Sequence, residues 1–347
     1  NKVGYSGHCE GINDAIYALS IGACCVEKHF TIDNNLEGRD NKFAITTEEL
    51  KKLCDFENDL KNFNIDMGLD LQDKEKDVIQ YMENVFVDYV YGRAKMIPKV
   101  YLTTDKGDFR AMPAQWEDMS GLKWISVYPE NHTLELPTIY GTLLLNDTLT
   151  GHPIISMDCA KLTGYRTAAV SALAAKHLTE HRQVNTFTFI GCGYQSIIHM
   201  KMYKSIFPQL TRVKLYDKNF DTALELKKQI IKDYKIECDV YDSVANACLN
   251  ADVITTLTPS IQGFLGQSHI KRPVHINAIG ADAEGKRELE RSIWMKCSLI
   301  VDDYEQASHS GEAQYVRGLP YLTLGDIITG KSKSDQNRST VFDSTGL

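Results

Sequence analysis

No apolar run in this 347-residue chain approaches the length that crosses a bilayer as a helix, and the opening residues do not read as a secretory leader. There is no Lys/Arg stripe and no excess of positive charge. The formal net charge is −8, which argues against a general nucleic-acid binder. Paired cysteine motifs are absent as well. The nine cysteines are scattered, none spaced as C-x-x-C, and the neighbours Cys24-Cys25 have poor disulfide geometry. Such a set fits a reducing cytosol, with most thiols acting as small buried hydrophobes. Internal repeats and low-complexity tracts are also missing. What is present is ordinary for a globular protein: 43% hydrophobic and 24% charged residues, on a chain long enough for two domains with a well-buried core.

The chain opens at Asn1, without an initiator Met, directly on the alternating stretch Lys2-Val3-Gly4-Tyr5. It closes on a strand-like segment, Val341 to Leu347, that stops short. A piece of a longer protein is expected. Residues 1–63 read as strand (Lys2–Ser6), helix (Ile12–Ile21), buried strand (Cys24–Phe30) and helix (Glu48–Phe63). The last helix begins at the capping-box-like Thr46-Thr47-Glu48-Glu49. Two βα units are part of a parallel α/β structure and cannot close a barrel alone. Charge-dense residues 64–76 form the expected junction. Beyond it come a helix (Asp77–Tyr91), short strands punctuated by Gly107, Gly121 and Gly141, and a small-residue helix (Thr167–Leu178). From Thr186 onward strand, Gly-rich turn, helix and strand repeat, the pattern of a doubly wound α/β domain.

The β-prone run Thr186-Phe187-Thr188-Phe189-Ile190 leads at once into Gly191-Cys192-Gly193-Tyr194-Gln195-Ser196 and then a helix (Ile197–Phe207). Glycines there permit a tight turn and close approach of backbone to a pyrophosphate seated on the helix N-terminus. Ser196 replaces the third glycine and is small enough for its packing role. The next strand ends in Asp217, where an acid accepts the ribose hydroxyls of NAD and repels the extra phosphate of NADP; the plain alternative is a surface turn Asp. Asp282 follows Ala278-Ile279-Gly280-Ala281 at a strand's carboxyl end, where it can orient an amine or shuttle a proton, or simply cap a helix over Lys286–Glu290. Lys99, Lys123 and Arg166 come from separate segments; together they could hold a carboxylate, and singly they read as solvated charges.

The run Lys161 to Lys176 (KLTGYRTAAVSALAAK) resembles the signature of the ornithine cyclodeaminase/mu-crystallin family. Similar to it in the same order are Leu145-Asn146-Asp147-x-x-Thr150-Gly151-x-Pro153, Gly191-x-Gly193-x-Gln195-Ser196, Asn277 to Asp282, Glu288-Leu289, Val301-Asp302-Asp303, Gln306 and Gly311-Glu312. The resemblance spans about 75–347. It implies an NAD-dependent enzyme moving a hydride at the α-carbon of an amino acid, and a two-domain subunit that dimerises through the first domain's sheet. By motif, Arg166, Lys123 and Lys99 would bind the substrate carboxylate and Asp282 would handle the reacting amine, with Lys123 beside it in catalysis. Thr167, Gly191, Gly193, Tyr194, Gln195 and Asp217 would contact the cofactor. Lys99 departs from the family's usual arginine. Arg110, before Met112-Pro113, stands where the cyclodeaminases proper carry a glutamate facing substrate. It is expected to meet the substrate, to repel a distal ammonium and to welcome an anionic group, which turns the reading from ornithine towards amino-acid dehydrogenases or imine reductases.

A second resemblance covers only residues 1–60. Val3-Gly4-Tyr5-Ser6-Gly7-His8, Gly22-Ala23, Glu27 to Thr31 and Gly38-Arg39-Asp40 look like the end of the sialic acid synthase barrel. That family uses a divalent metal, and His8 and His29 match its metal histidines, here as remnants of a site whose other parts are missing. The expected domains are therefore 1–63, a TIM-barrel fragment; 70–184, an α+β substrate and dimerisation domain to which 325–347 returns; and 185–324, the Rossmann NAD-binding domain. The expected function is that of a cytoplasmic, homodimeric oxidoreductase or cyclodeaminase acting on a small amino acid, with no nucleic-acid or membrane partner. Its rivals are a sialic acid synthase activity of a fused parent and an idle NAD-binding protein; retained Asp282, Lys123 and Arg166 argue against the latter.

Overall fold

The computed structural model describes residues 4–20, 23, 25–38, 40–62 and 74–346 and divides into two units, 1–71 and 72–347. In the first, β1 (Tyr5–Ser6), α1 (Asn13–Ser20), β2 (Val26–Glu27) and α2 (Thr47–Asn62) follow in order, with β1 parallel to β2. The capping box forms: Thr46 N donates to Glu49 Oε2 (2.9 Å) and Glu49 N to Thr46 Oγ1 (3.3 Å). The strand expected over Cys24–Phe30 is shorter and is not buried, since Cys25 is exposed and Val26 and Glu27 are incompletely covered. Among the described residues each strand has one neighbour, and a small core of Ala15, Ile45 and Leu53 packs with Ile12, Ile16, Leu19 and Val26. Lys2, Val3, Ile21, Cys24, Phe63 and residues 64–73 of the expected junction lie outside the described residues.

The second unit begins with α3 (Glu75–Val90) and an antiparallel sheet of β3 (Ala94–Met96), β4 (Val100–Thr103), β5 (Asp108–Trp116), β6 (Met119–Val127), β7 (Ile139–Asp147) and β8 (Pro153–Asp158). Its register decides what each face carries. Tyr101 pairs with Arg110, Arg110 with Ile125 and Met112 with Lys123, so Tyr101, Arg110, Met112 and Lys123 share one face. Val100, Leu102, Trp124 and Tyr140 fall on the other face and are exposed.

Next comes α4 (Ala160–Leu178), which starts earlier than the expected Thr167 because the Asp158 carboxylate accepts Ala160 N (3.0 Å). Ala168, Ala169, Ala172, Ala174 and Ala175 are fully buried, so it is a core helix rather than a surface one. The remaining elements are β9 (Thr186–Ile190), α5 (Tyr194–Ile206), β10 (Arg212–Tyr216), α6 (Phe220–Tyr234), β11 (Glu237–Val240), α7 (Val244–Cys248), β12 (Val253–Thr256), β13 (His275–Ala278), β14 (Cys297–Val301), α8 (Tyr304–Ser310), β15 (Tyr321–Thr323), α9 (Leu324–Ile328) and β16 (Ser339–Asp343). The strands form one eight-stranded parallel sheet in the order β11-β10-β9-β12-β13-β16-β14-β15.

This order corrects the expectation that 325–347 returns to the first domain. The helix does pack there, Gly325 lying against Val90 and Phe86 of α3. The strand does not. Ser339–Asp343 is buried along its whole length between β13 and β14, where a β-branched and aromatic run covered on both faces belongs. No helix among the described residues is long and apolar enough to cross a membrane.

A polar network runs through the sheet's core. Asn277 Nδ2 donates to Tyr203 OH (2.8 Å) and to Ser171 O (3.1 Å), and Tyr203 OH bonds Thr255 Oγ1 (2.6 Å). His275 bridges Asn277 Oδ1 (3.0 Å) and Thr340 Oγ1 (2.9 Å), and His199 meets Ser171 Oγ (2.9 Å). Burial pushes the His199 pKa down to about 4 and that of His275 to about 3, so both rings are neutral near pH 7. The network joins α4, α5, β12, β13 and β16, and losing one member strands others. Tyr203→Phe is expected to cost about 1–3 kcal/mol in urea unfolding, the cost of leaving buried polar partners unsatisfied. An unchanged urea midpoint would show that the network adds nothing to stability.

Candidate active site

The dinucleotide turn follows from its glycines. Gly191 has φ +96°, and a Cβ there would meet the Leu257 carbonyl oxygen at 2.8 Å. Gly193 caps α5 and its missing Cβ would face open space, which leaves the helix N-terminus open to a pyrophosphate. Ser196 is buried and donates to Gly193 O (2.6 Å), so the substitution for the third glycine is accommodated. Asp217 accepts Cys192 N (2.7 Å) and Asn219 N (2.8 Å), which sets its carboxylate at the mouth of the turn. A cavity of about 700 Å³ opens there, lined by Gly191, Gly193, Asp217, Thr258 and Phe264 among others. Gln195 Oε1 is buried with no partner among the described residues; Tyr194 packs on Gly164 of α4, and Thr167 is buried on the same helix. These residues fit an adenine dinucleotide.

Asp282 sits just beyond β13, and the antiparallel sheet closes on it. Arg110 Nη1 donates to Asp282 Oδ2 (2.8 Å), Lys286 Nζ to Oδ1 (2.6 Å), and both Lys99 Nζ (3.0 Å) and Tyr101 OH (3.1 Å) donate to the Asp282 carbonyl oxygen. Burial would raise its carboxyl, but Lys286, Arg110 and Lys99 outweigh it and hold it well below the usual carboxylate range. The side chain is nevertheless 38% exposed, so the ion-paired carboxylate keeps an open side. The helix expected over Lys286–Glu290 is not formed. Gly285 turns at φ +80°, Lys286 folds back onto Asp282, and the Glu288 and Leu289 amides donate to Glu312.

Lys99, Lys123 and Arg166 converge: Lys123 feels both Arg166 and Lys99, and Lys99 feels Arg166. Lys99 is lowered to about 8, first by burial and then by Arg110 and Arg166 against Asp282. Lys123 lies well below the ordinary lysine range, through burial and then Arg166 and Lys99. Arg166 Nε is buried without a partner among the described residues. Lys123 and Arg166 also line a cavity of about 420 Å³ whose walls include Met96, Met112, Leu143 and Leu145. Cations facing an apolar chamber, with an unsatisfied guanidinium nitrogen, suit one bound carboxylate.

Arg110 is not the free cation the sequence suggested. It is 4% exposed, and Asp108 accepts its Nε (2.6 Å) while Asp282 takes Nη1. With two carboxylates already on it, Arg110 has little left for an anionic substrate group. Asp108 and Lys286 escaped the sequence reading. The signals were there: Asp108 stands two residues from Arg110 on one strand, and Lys286 four residues after Asp282. In the first unit His8 and His29 meet, Nε2 to Nε2 at 3.2 Å, and no third His, Cys, Asp or Glu joins them as a metal group among the described residues.

A parallel sheet with a dinucleotide turn, facing a carboxylate and a cluster of cations, defines a nicotinamide-dependent oxidoreductase. Residues 64–347 match the ornithine cyclodeaminase/mu-crystallin family and residues 1–67 the NeuB family. The chain belongs to the ornithine cyclodeaminase/mu-crystallin family and is an NAD-dependent enzyme. It is 37% identical over 275 residues to the alanine dehydrogenase of Archaeoglobus fulgidus, covering 77% of this chain and 84% of that one. Ornithine cyclodeaminase of Brucella abortus is 30% identical over 255 residues, covering 72% and 70%. Among solved structures, an archaeal alanine dehydrogenase dimer with bound NAD superposes with TM-score 0.74 at 36% identity, covering 79% and 87%. The Thermococcus litoralis Δ1-pyrroline-2-carboxylate reductase with NADH and L-proline gives 0.74 at 27% identity, covering 79% and 88%.

Asp217 makes the cofactor preference testable. In titrations followed by fluorescence quenching, NAD should bind more tightly than NADP, whose added phosphate would face this carboxylate, and Asp217→Ala should narrow the gap. Equal affinities in the unmodified chain would refute the assignment.

Proposed function

We propose that the chain is an NAD-dependent dehydrogenase of a neutral amino acid and, in reverse, a reductase of the corresponding imine, and that it is not an ornithine cyclodeaminase. The observation that carries this is Arg110, which stands where a cyclodeaminase needs an acid and occupies both nearby carboxylates, Asp108 and Asp282. A distal ammonium would find both carboxylates already taken by Arg110. The 37% identity to an alanine dehydrogenase supports the same reading.

In the overall reaction an amino acid, NAD and water become a 2-oxo acid, ammonium, NADH and one proton. Bound NAD supplies the two-electron acceptor for the hydrogen on the α-carbon. Arg166 anchors the substrate carboxylate with Lys99 near it, leaving the side chain against Met112 and Leu143. Asp282, kept ionised by Arg110 and Lys286, turns its open side to the substrate nitrogen and favours the positive charge that develops there. It is too weak a base to be the main proton acceptor. Lys123 has a larger uncharged fraction than an ordinary lysine and takes the proton from the substrate ammonium, freeing the nitrogen lone pair. The residues of 185–324 hold the cofactor and those of 70–184 the substrate carboxylate, with Asp282 reaching the substrate from the cofactor domain. The buried free thiols Cys159, Cys192, Cys238, Cys248 and Cys297 suit the reducing cytoplasm, where we place the enzyme.

We also take the chain to be a homodimer, paired through the exposed sheet face of Val100, Leu102, Trp124 and Tyr140, on which Phe109 and Trp124 stack at 5.5 Å. Sedimentation should give twice the chain mass and Trp124→Glu a folded monomer; a monomer in the unmodified chain would end this reading.

A panel of amino acids with NAD, read by absorbance of NADH and by proline formation, decides the reaction. Neutral amino acids should be oxidised and ornithine should yield little proline; ornithine outpacing every other substrate would sink the proposal. Asp282→Asn should keep its melting temperature and NAD affinity while turnover falls by about 10²-fold or more. Near-normal turnover would remove Asp282 from the mechanism.

A further inference from the structure

Glu288 is fully buried, and among the described residues no cation pairs with it. Neutral donors hold it: Thr258 N (2.7 Å) and Thr258 Oγ1 (2.7 Å) on Oε1, and Gly280 N (2.8 Å) and Thr256 Oγ1 (2.6 Å) on Oε2. Burial raises its carboxyl while these four bonds pull the other way. The donors come from two places. Thr256 ends β12 and Thr258 lines the cofactor cavity; Gly280 lies two residues before Asp282. The approach is close enough that a Cβ at Gly280 would meet Thr258 O and then Glu288 Oε1 at 2.6 Å. Glu288's own amide donates to Glu312 (2.6 Å), and Gly285 N donates to Gln314 (3.1 Å). The loop bearing Asp282 and Lys286 is thus closed at its neck by one carboxylate and fixed from behind.

We propose that Glu288 is a positioning residue that holds Asp282 in register with the bound dinucleotide by tying Thr258 of the cofactor crevice and Gly280 to a single carboxylate. The carboxylate reaches neither substrate nor cofactor; it acts through the two backbone segments that do. The proposal rests on Asp282 serving the substrate nitrogen. Chemistry explains why an acid is needed. Each carboxylate oxygen accepts one backbone N–H, and those donors cannot rotate away. A glutamine, whichever way its amide lies, sets an NH₂ against Thr258 N or Gly280 N and frees one segment from the other.

Glu288→Gln is therefore a near-isosteric cut of the tie. Its turnover should fall by about 10²-fold, the scale of an ångström-sized misplacement, with little change in KM for the amino acid. NAD affinity, read by fluorescence quenching without substrate, should weaken several-fold. Thr256→Val removes one hydroxyl and keeps both backbone bonds; it should lower the melting temperature yet leave turnover and NAD affinity near normal. Normal turnover and NAD affinity in Glu288→Gln, or equal losses in the two variants, overturn the proposal. If Glu288→Gln does not fold, hydrogen exchange on the unmodified chain decides. NAD should then slow exchange in 279–288 together with 257–264, and slowing confined to 257–264 overturns the tie. Asp282→Asn measured alongside separates the two ideas. If it is inactive while Glu288→Gln is normal, the positioning role alone falls; if it is active, the reading of Asp282 falls and the exchange result still tests the tie.

Discussion

The ion pair between Arg110 and Asp282 joins the antiparallel sheet to the doubly wound sheet, and the site is organised around it. A carboxylate at the end of a parallel strand could be left to water, but here it is met by Arg110 and Lys286 at its oxygens and by Lys99 and Tyr101 at its carbonyl. Removing one partner of such a pair leaves the other's charge uncompensated. The pairing therefore fixes the approach of the two sheets as well as the ionisation of Asp282. In the mechanism we propose, it also divides the chemistry: an acid held ionised contributes charge, and proton transfer passes to the less charged Lys123.

The carboxyl ends of the parallel strands show the same economy of charge. Strand ends expose amide groups that a buried loop cannot leave unsatisfied. Four acids collect them here. Glu288 takes Thr258 and Gly280, Glu312 takes the Glu288 and Leu289 amides, Asp343 takes Ala313 N, and Asp302 takes Thr345 N and Gly346 N. Their oxygens accept where the neighbouring backbone offers N–H donors. This is why acids with no role at a reacting atom recur through the segment that frames the crevice.

The neutral histidine network does for the interior what these acids do for the rim. Asn277 sits one residue before the end of β13, and its side chain reaches α4 and α5 through Ser171 and Tyr203. Side-chain bonds of this kind are directional, so they select one packing of helix on sheet where apolar contacts alone would tolerate several. The strand end that positions Asp282 is thereby held at a fixed height above the helices.

Local chemistry made much of this legible in the sequence. The dinucleotide turn needed only Gly191 and Gly193 between a β-prone run and a helix, and the start of α2 only Thr46 and Glu49, because turn and cap geometry depend on residues a few positions apart. The identities of Lys99, Lys123, Arg166 and Asp282 came from motifs, but their convergence did not, since spacing along the chain leaves the distance between segments open. Tertiary structure alone decided that Arg110 meets an aspartate 172 positions away, that Lys286 folds back instead of starting a helix, and that Ser339–Asp343 enters the parallel sheet. The physical reason is common to all three. Periodicity tells which face of an element is buried, whereas the partner of a charge or the neighbour of a strand is set by how two sheets approach, a choice made by the whole packed core.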